Sequence, residues 1–311
     1  MRSLQKPECV SNCEVTEWIA LSEEMPVISG DRGTIMANLL TSMLGAGLLG
    51  VLVYLSGMRL FAEPIPEAVF GFAGAVGNAI LFVGLAAVGA SLVVLLLKYG
   101  RERFLRYLLL GAFTFIGIVV VIYFGYTFLI VFLEVEPLLA CFILLGFGTT
   151  AALAFIMVGS DNRVKNGALL VFGSGVGAFL GVVLPVWTSL LLLIAIAVYD
   201  YISVKKGPIR KIVELTEDDP DKLAALSVSS AEWDIGLGDV AFYGMMTVLA
   251  IVNFGFVPTI CTVVGVIAGF FATLRLLEKR GVMAGLPIPV SLGLLGLLIG
   301  FLLRLFFPFL P

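Results

Sequence analysis

From Ile35 to Phe307 the chain is a train of long apolar runs broken by short polar or proline- and glycine-bearing segments. Crossing the hydrocarbon of a bilayer takes about 20 apolar residues, and nine such spans are read. They are Ile35–Gly57, Ala68–Leu97, Phe104–Leu133, Pro137–Val158, Gly167–Leu184, Val186–Val204, Ile235–Asn253, Phe256–Leu276 and Leu286–Phe307. Two boundaries are inferred. The uncharged stretch from Gly167 to Val198 is divided at Pro185, and the stretch from Val240 to Leu274 at Asn253–Pro258, where asparagine, glycine and proline cluster. No soluble reading competes: 60% of the residues are apolar and 13% charged, where a soluble domain carries about 25% charged residues. The predicted fold is all-α and polytopic, with nine transmembrane helices. Residues 1–34 form a polar tail, 35–204 helices one to six, 205–234 a loop, and 235–311 helices seven to nine. No signal peptide is read ahead of Ile35.

Lysine and arginine set the orientation. With the amino terminus in the cytoplasm, 17 of the 19 basic residues fall on the inner side, and only Arg59 and Arg304 fall outside. The carboxyl terminus is then outside, and the 205–234 loop is cytoplasmic. Histidine is absent, which removes a helical zinc-protease motif and a serine–histidine dyad. Cys141 and Cys261 lie in apolar runs as packing residues, and Cys9 and Cys13 have no nearby Cys or His to complete a metal site. No metal or cofactor is expected. The net charge of −3 carries no nucleic-acid signature.

Two carboxyls stand out in this setting. Asp200 lies near the end of span six, a few residues before Lys205 and Lys206, and Asp239 lies near the start of span seven. The chain reverses between them, so both are expected at similar depth, a little inside the cytoplasmic face. A carboxylate in a bilayer is costly, and is a functional-site hypothesis by default. Two carboxyls a few ångströms apart cannot both ionise cheaply, so they share one proton. The ionised member can take a proton from an attacking water while the protonated one donates to a scissile carbonyl, a chemistry that needs no metal or histidine. Gly236 and Gly238 lack side chains and so permit a second backbone to approach Asp239. The same pair of acids could instead serve a proton- or cation-coupled transporter. No internal repeat of the kind found around broken transporter helices is evident.

Val198-Tyr199-Asp200 in span six and Gly236-Leu237-Gly238-Asp239 in span seven resemble the YD and GxGD motifs of the presenilin and signal peptide peptidase family. Lys206-Gly207-Pro208-Ile209-Arg210, Val213-Glu214 and Phe242-Tyr243 resemble presenilins in particular, closest to a microbial, archaeal-type member. The family's third motif, proline-alanine-leucine, is matched by Ala284-Gly285-Leu286-Pro287, in which Leu286 and Pro287 agree and the proline and alanine are replaced. The resemblance implies an intramembrane aspartyl endopeptidase with nine helices. Asp200 and Asp239 would be its catalytic pair. Tyr199, Gly236, Leu237 and Gly238 would shape the site, and Gly285, Leu286 and Pro287 would close it. The charge pattern matches the presenilin branch, so substrates would be single-span helices with outside amino termini, cleaved in the bilayer. The resemblance further implies that an unwound substrate adds as a strand near Leu226–Ser229. Short loops imply a prokaryotic cell-membrane protein working without accessory subunits. Gly173, Gly177 and Gly181, with Gly265/Gly269 and Gly296/Gly300, read as helix-packing surfaces.

Overall fold

A computed structural model of the chain describes residues 32–57, 63–157, 162–206, 227–229, 234–280 and 284–306. Among them are nine helices: α1 Arg32–Ser56, α2 Glu67–Lys98, α3 Glu102–Leu133, α4 Pro137–Met157, α5 Asn162–Val183, α6 Val186–Lys206, α7 Leu237–Phe254, α8 Phe256–Arg280 and α9 Pro287–Phe306. Eight are long and apolar enough to cross a membrane, and α4 is apolar from Pro137 to Gly148. Cys9 and Cys13 lie outside the described residues.

The helix breaks have local causes. Pro185 stands between α5 and α6, where it has no N–H to continue the ladder of α5. Gly255 separates α7 from α8 with φ of +89°, a conformation glycine adopts without steric penalty. The Arg304 guanidinium, from the last turn of α9, donates to the Phe254 carbonyl at the end of α7, placing a cation at the negative pole of that helix. Before α7 lies the only strand pair among the described residues: β1 Ser227–Ser229 pairs antiparallel with β2 Asp234–Gly236, in the register Ser227 with Gly236 and Val228 with Ile235. Ile235 therefore belongs to a strand, and the seventh helix begins two residues later, at Leu237.

The centre of the bundle is α7. Thirteen of its 18 residues are buried, and it contributes Val240, Tyr243, Met245, Met246 and Leu249 to one apolar core and Val248, Ile251 and Val252 to a second. It is flanked by α1, α5 and α8, while α8 packs chiefly on α9 and α6 chiefly on α2. The small residues carry these contacts. A methyl group on Gly177 would meet the Ala241 carbonyl oxygen and come within 2.9 Å of the Met245 nitrogen, and one on Gly181 would lie 2.7 Å from the Met245 oxygen. Gly269 and Gly300 accept the backbones of Pro289 and Pro258 in the same way. Within a bilayer such backbone proximity is the main source of packing energy. Gly177→Val is expected to lower stability by about 3 kcal/mol or more, since the obstruction is backbone and cannot rotate away. Thermal scanning of the purified variant in detergent measures this.

Candidate active site

Asp200 is the fifteenth residue of α6, Asp239 the third of α7, and α9 begins at Pro287. The segment Ala284–Leu286 joins them. The Leu286 amide donates to Oδ2 of Asp200 at 3.0 Å. Its neighbour Gly285 faces the other acid: a methyl group there would lie 2.5 Å from Oδ2 and 3.2 Å from Cγ of Asp239. Two adjacent residues thus touch both carboxyls, one each. Leu286 itself is buried in the principal core, so the contact segment is anchored by its own side chain.

Local sequence explains the arrangement. Pro287 opens α9, the position where its fixed φ suits a helix and its missing N–H costs nothing. The Leu286 carbonyl accepts the Val290 amide at 3.0 Å, which makes Leu286 the residue preceding the first turn. Asp200 therefore sits at the positive pole of α9, a favourable place for a carboxylate. Leu237 is buried, and both Leu237 and Val240 press on Gly173 of α5, which seats the first turn of α7 and with it Asp239. Gly236 precedes that turn with extended backbone and lies in ordinary contact with Asp239, 3.5 Å from a would-be Cβ to Oδ2.

Gly238 differs from the sequence expectation. It is exposed, and among the described residues a Cβ there would meet nothing within 4 Å, so no described backbone approaches it. The glycine that allows close approach to Asp239 is Gly285. Of the motif residues, Asp200, Asp239, Gly236, Gly285 and Leu286 converge, Leu237 supports from the core, and Pro287 sets the helix start.

In the sequence Tyr243 stands out only as part of the Phe242-Tyr243 resemblance. Its side chain is fully buried, and its hydroxyl donates to the Gly285 carbonyl oxygen at 2.9 Å. Its ring meets Phe270 of α8 edge-on, with centroids 6.2 Å apart. One turn beyond Asp239, it ties the contact segment to α7. Its spacing of four from Asp239 could have flagged it. Tyr199 packs against the same core, and its buried hydroxyl has no hydrogen-bond partner, the one such side-chain atom among the described residues. Tyr243→Phe is expected to lower stability by about 1–3 kcal/mol, because it strands a carbonyl. Tyr199→Phe removes an unsatisfied group and is expected to leave stability unchanged or raise it. Parallel thermal scans check both.

Among the described residues no group of three His, Cys, Asp or Glu side chains is placed to hold a metal. The family described as Presenilin matches residues 60–235, more than half of the chain, including Tyr199 and Asp200. Presenilin-B of Dictyostelium discoideum is 32% identical over 121 residues, which cover 36% of this chain and 25% of that protein. A presenilin-like protein of Arabidopsis thaliana is 32% identical over 161 residues, 49% of this chain and 34% of that one. The matched segments thus span about a quarter to a third of these relatives' lengths. The fold is similar to that of a presenilin family intramembrane aspartate protease solved in the C222 and P2 space groups. The TM-scores are 0.60 and 0.59 at 20% and 22% identity, over 86% and 88% of this chain and 99% and 100% of those. The nine-helix architecture and the family match agree: this chain is an integral, multi-pass membrane protein of the presenilin family.

Proposed function

We propose that the chain is an intramembrane aspartyl endopeptidase that hydrolyses peptide bonds of single-span membrane proteins. The observation that carries this reading is the shared contact segment: Leu286 on Asp200 and Gly285 against Asp239, adjacent residues bridging acids from consecutive spans. One ionised carboxyl takes a proton from a water, whose oxygen adds to the scissile carbonyl carbon. The protonated partner gives its proton to the carbonyl oxygen, forming a neutral diol. Collapse breaks the C–N bond as a proton passes to the leaving nitrogen, leaving one acid, one amine and the pair ready to share a proton again. Among the described residues nothing stands opposite Gly238, which leaves room for substrate beside Asp239. The Ser227–Ser229 strand, which runs antiparallel to the strand entering α7, supports edge pairing with an unwound substrate.

The distribution of basic residues supports a cytoplasmic amino terminus, an external carboxyl terminus and a 205–234 loop in the cytoplasm, which sets substrate orientation to outside amino termini. The setting is a prokaryotic cell membrane, with no accessory subunit. The test is purified protein reconstituted in vesicles with a single-span substrate, product masses being read by mass spectrometry, and proton flux measured in the same vesicles. Cleavage within the span that depends on both acids supports the reading. A proton flux that depends on Asp200, without cleavage, replaces it with the transporter.

A further inference from the structure

Neither α2 nor α6 carries a capping side chain at its own start, where the preceding residues are Pro66 and Pro185. The first amides of a helix have no partner within it, and here Glu63, ahead of α2, and Glu67, its first residue, supply one to each helix. Glu63 Oε1 accepts the Glu67 amide at 2.9 Å, serving α2. Glu67 Oε1 accepts the Thr188 amide at 2.8 Å and the Thr188 hydroxyl at 2.5 Å, serving α6. Thr188 is the third residue of α6, the position whose amide a capping side chain ordinarily takes. The cap is therefore provided in trans, by a different helix.

Asn78 locks the arrangement. Its side-chain oxygen accepts the Ile65 amide at 2.9 Å, and its nitrogen donates to the Ile65 carbonyl at 2.8 Å and to the Thr188 hydroxyl at 3.3 Å. Asn78 and Thr188 are both fully buried. The lock matters because the first turn of α2 is joined to the rest through Gly71, whose φ of +55° and ψ of −139° interrupt the helix. Without Asn78, the turn bearing Glu67 would be free to pivot there.

We infer that Glu67 is a positioning residue for the aspartate pair: by capping α6 from α2, it fixes the axial register and rotation of the helix that carries Asp200. Asp200 lies twelve residues beyond Thr188 on one uninterrupted helix, about 18 Å along its axis. A rigid helix held at its start transmits that register to its far end. The partner acid has separate supports, since α7 packs on α1, α5 and α8 while α6 packs chiefly on α2. The spacing of the pair thus depends on where α2 holds α6. This inference rests on the proposed proteolysis, and its test separates the two.

Glu67→Leu, assayed beside wild type with the single-span substrate, is expected to lower kcat about tenfold with KM within about twofold, as a misplacement below 1 Å would. Glu67→Gln keeps the acceptor oxygen and is expected to retain at least about half of wild-type kcat. Adding Pro185→Asp to Glu67→Leu supplies a cap within α6 itself. If the cap served stability alone, this double variant would recover both melting temperature and kcat; if it positions, melting temperature recovers and kcat does not. The double variant also carries the test if Glu67→Leu does not survive purification. Spin labels at Lys205 and Arg275, exposed near the Asp200 ends of α6 and α8, in a cysteine-free background, read the geometry without activity. Their distance distribution should shift or broaden in Glu67→Leu and not in Glu67→Gln. Unchanged kcat and unchanged distances in Glu67→Leu, or full kcat rescue by Pro185→Asp, overturn the inference. Wild type that does not cleave overturns the proteolytic reading, while the label distances still decide whether Glu67 sets the register of α6.

Discussion

Asp200→Ala and Asp239→Ala will each reduce cleavage of a single-span substrate by about a thousandfold or more, to the background of the assay. Each carboxyl has a separate half of the work, proton acceptor or proton donor, and general acid–base steps contribute about 10²–10⁴-fold each. Removing one leaves the other without the partner whose proton it shares, so the double variant should be no worse than either single one. The fold should survive. In Asp200→Ala the Leu286 amide loses its acceptor, a cost of about 1 kcal/mol at a helix start, and α9 keeps its packing on α8. The check is product mass together with a gel-filtration profile matching wild type. Cleavage at an undiminished rate by either variant would remove the pair from the mechanism.

Gly285→Val will lower kcat by about a hundredfold while the melting temperature moves by only a few degrees. The group that a new side chain meets is the Asp239 carboxyl, 2.5 Å from the nearest added carbon. That carboxyl is the free end of a flexible side chain, so it turns aside at small cost to the fold. A displacement of about 1 Å at a reacting group is enough for a loss of this size. Gly285→Ala should be milder, within about tenfold, because the proline-alanine-leucine motif that this segment resembles carries alanine in the same place. Side-by-side kcat values and thermal scans settle the order glycine, alanine, valine. A variant that melted far below wild type would instead make Gly285 a packing residue.

Much of this molecule was legible in the chain, for reasons particular residues make plain. Pro185 and Gly255 divide helices because one lacks an N–H and the other takes a positive φ, and both effects are local. Asp200 and Asp239 declared themselves because an acid is conspicuous among uncharged neighbours. The role of Gly238 could not be read in the same way. A glycine is a glycine whether its missing side chain admits a backbone or opens on free space, and the difference between Gly238 and Gly285 lies in what stands opposite.

Sequence alone, then, determined the train of nine apolar helices and the two acids among them, because hydrophobic length and stray charge act at the level of a single helix. Tertiary structure alone decided that α7 is the buried axis, although α2 is longer and more hydrophobic yet largely faces outward. It also decided that Tyr243 reaches Gly285 and that Glu67 caps α6. The physical reason is that lipid and protein interior are alike apolar, so hydrophobicity tells a residue that it lies in the membrane without telling it which neighbour it meets.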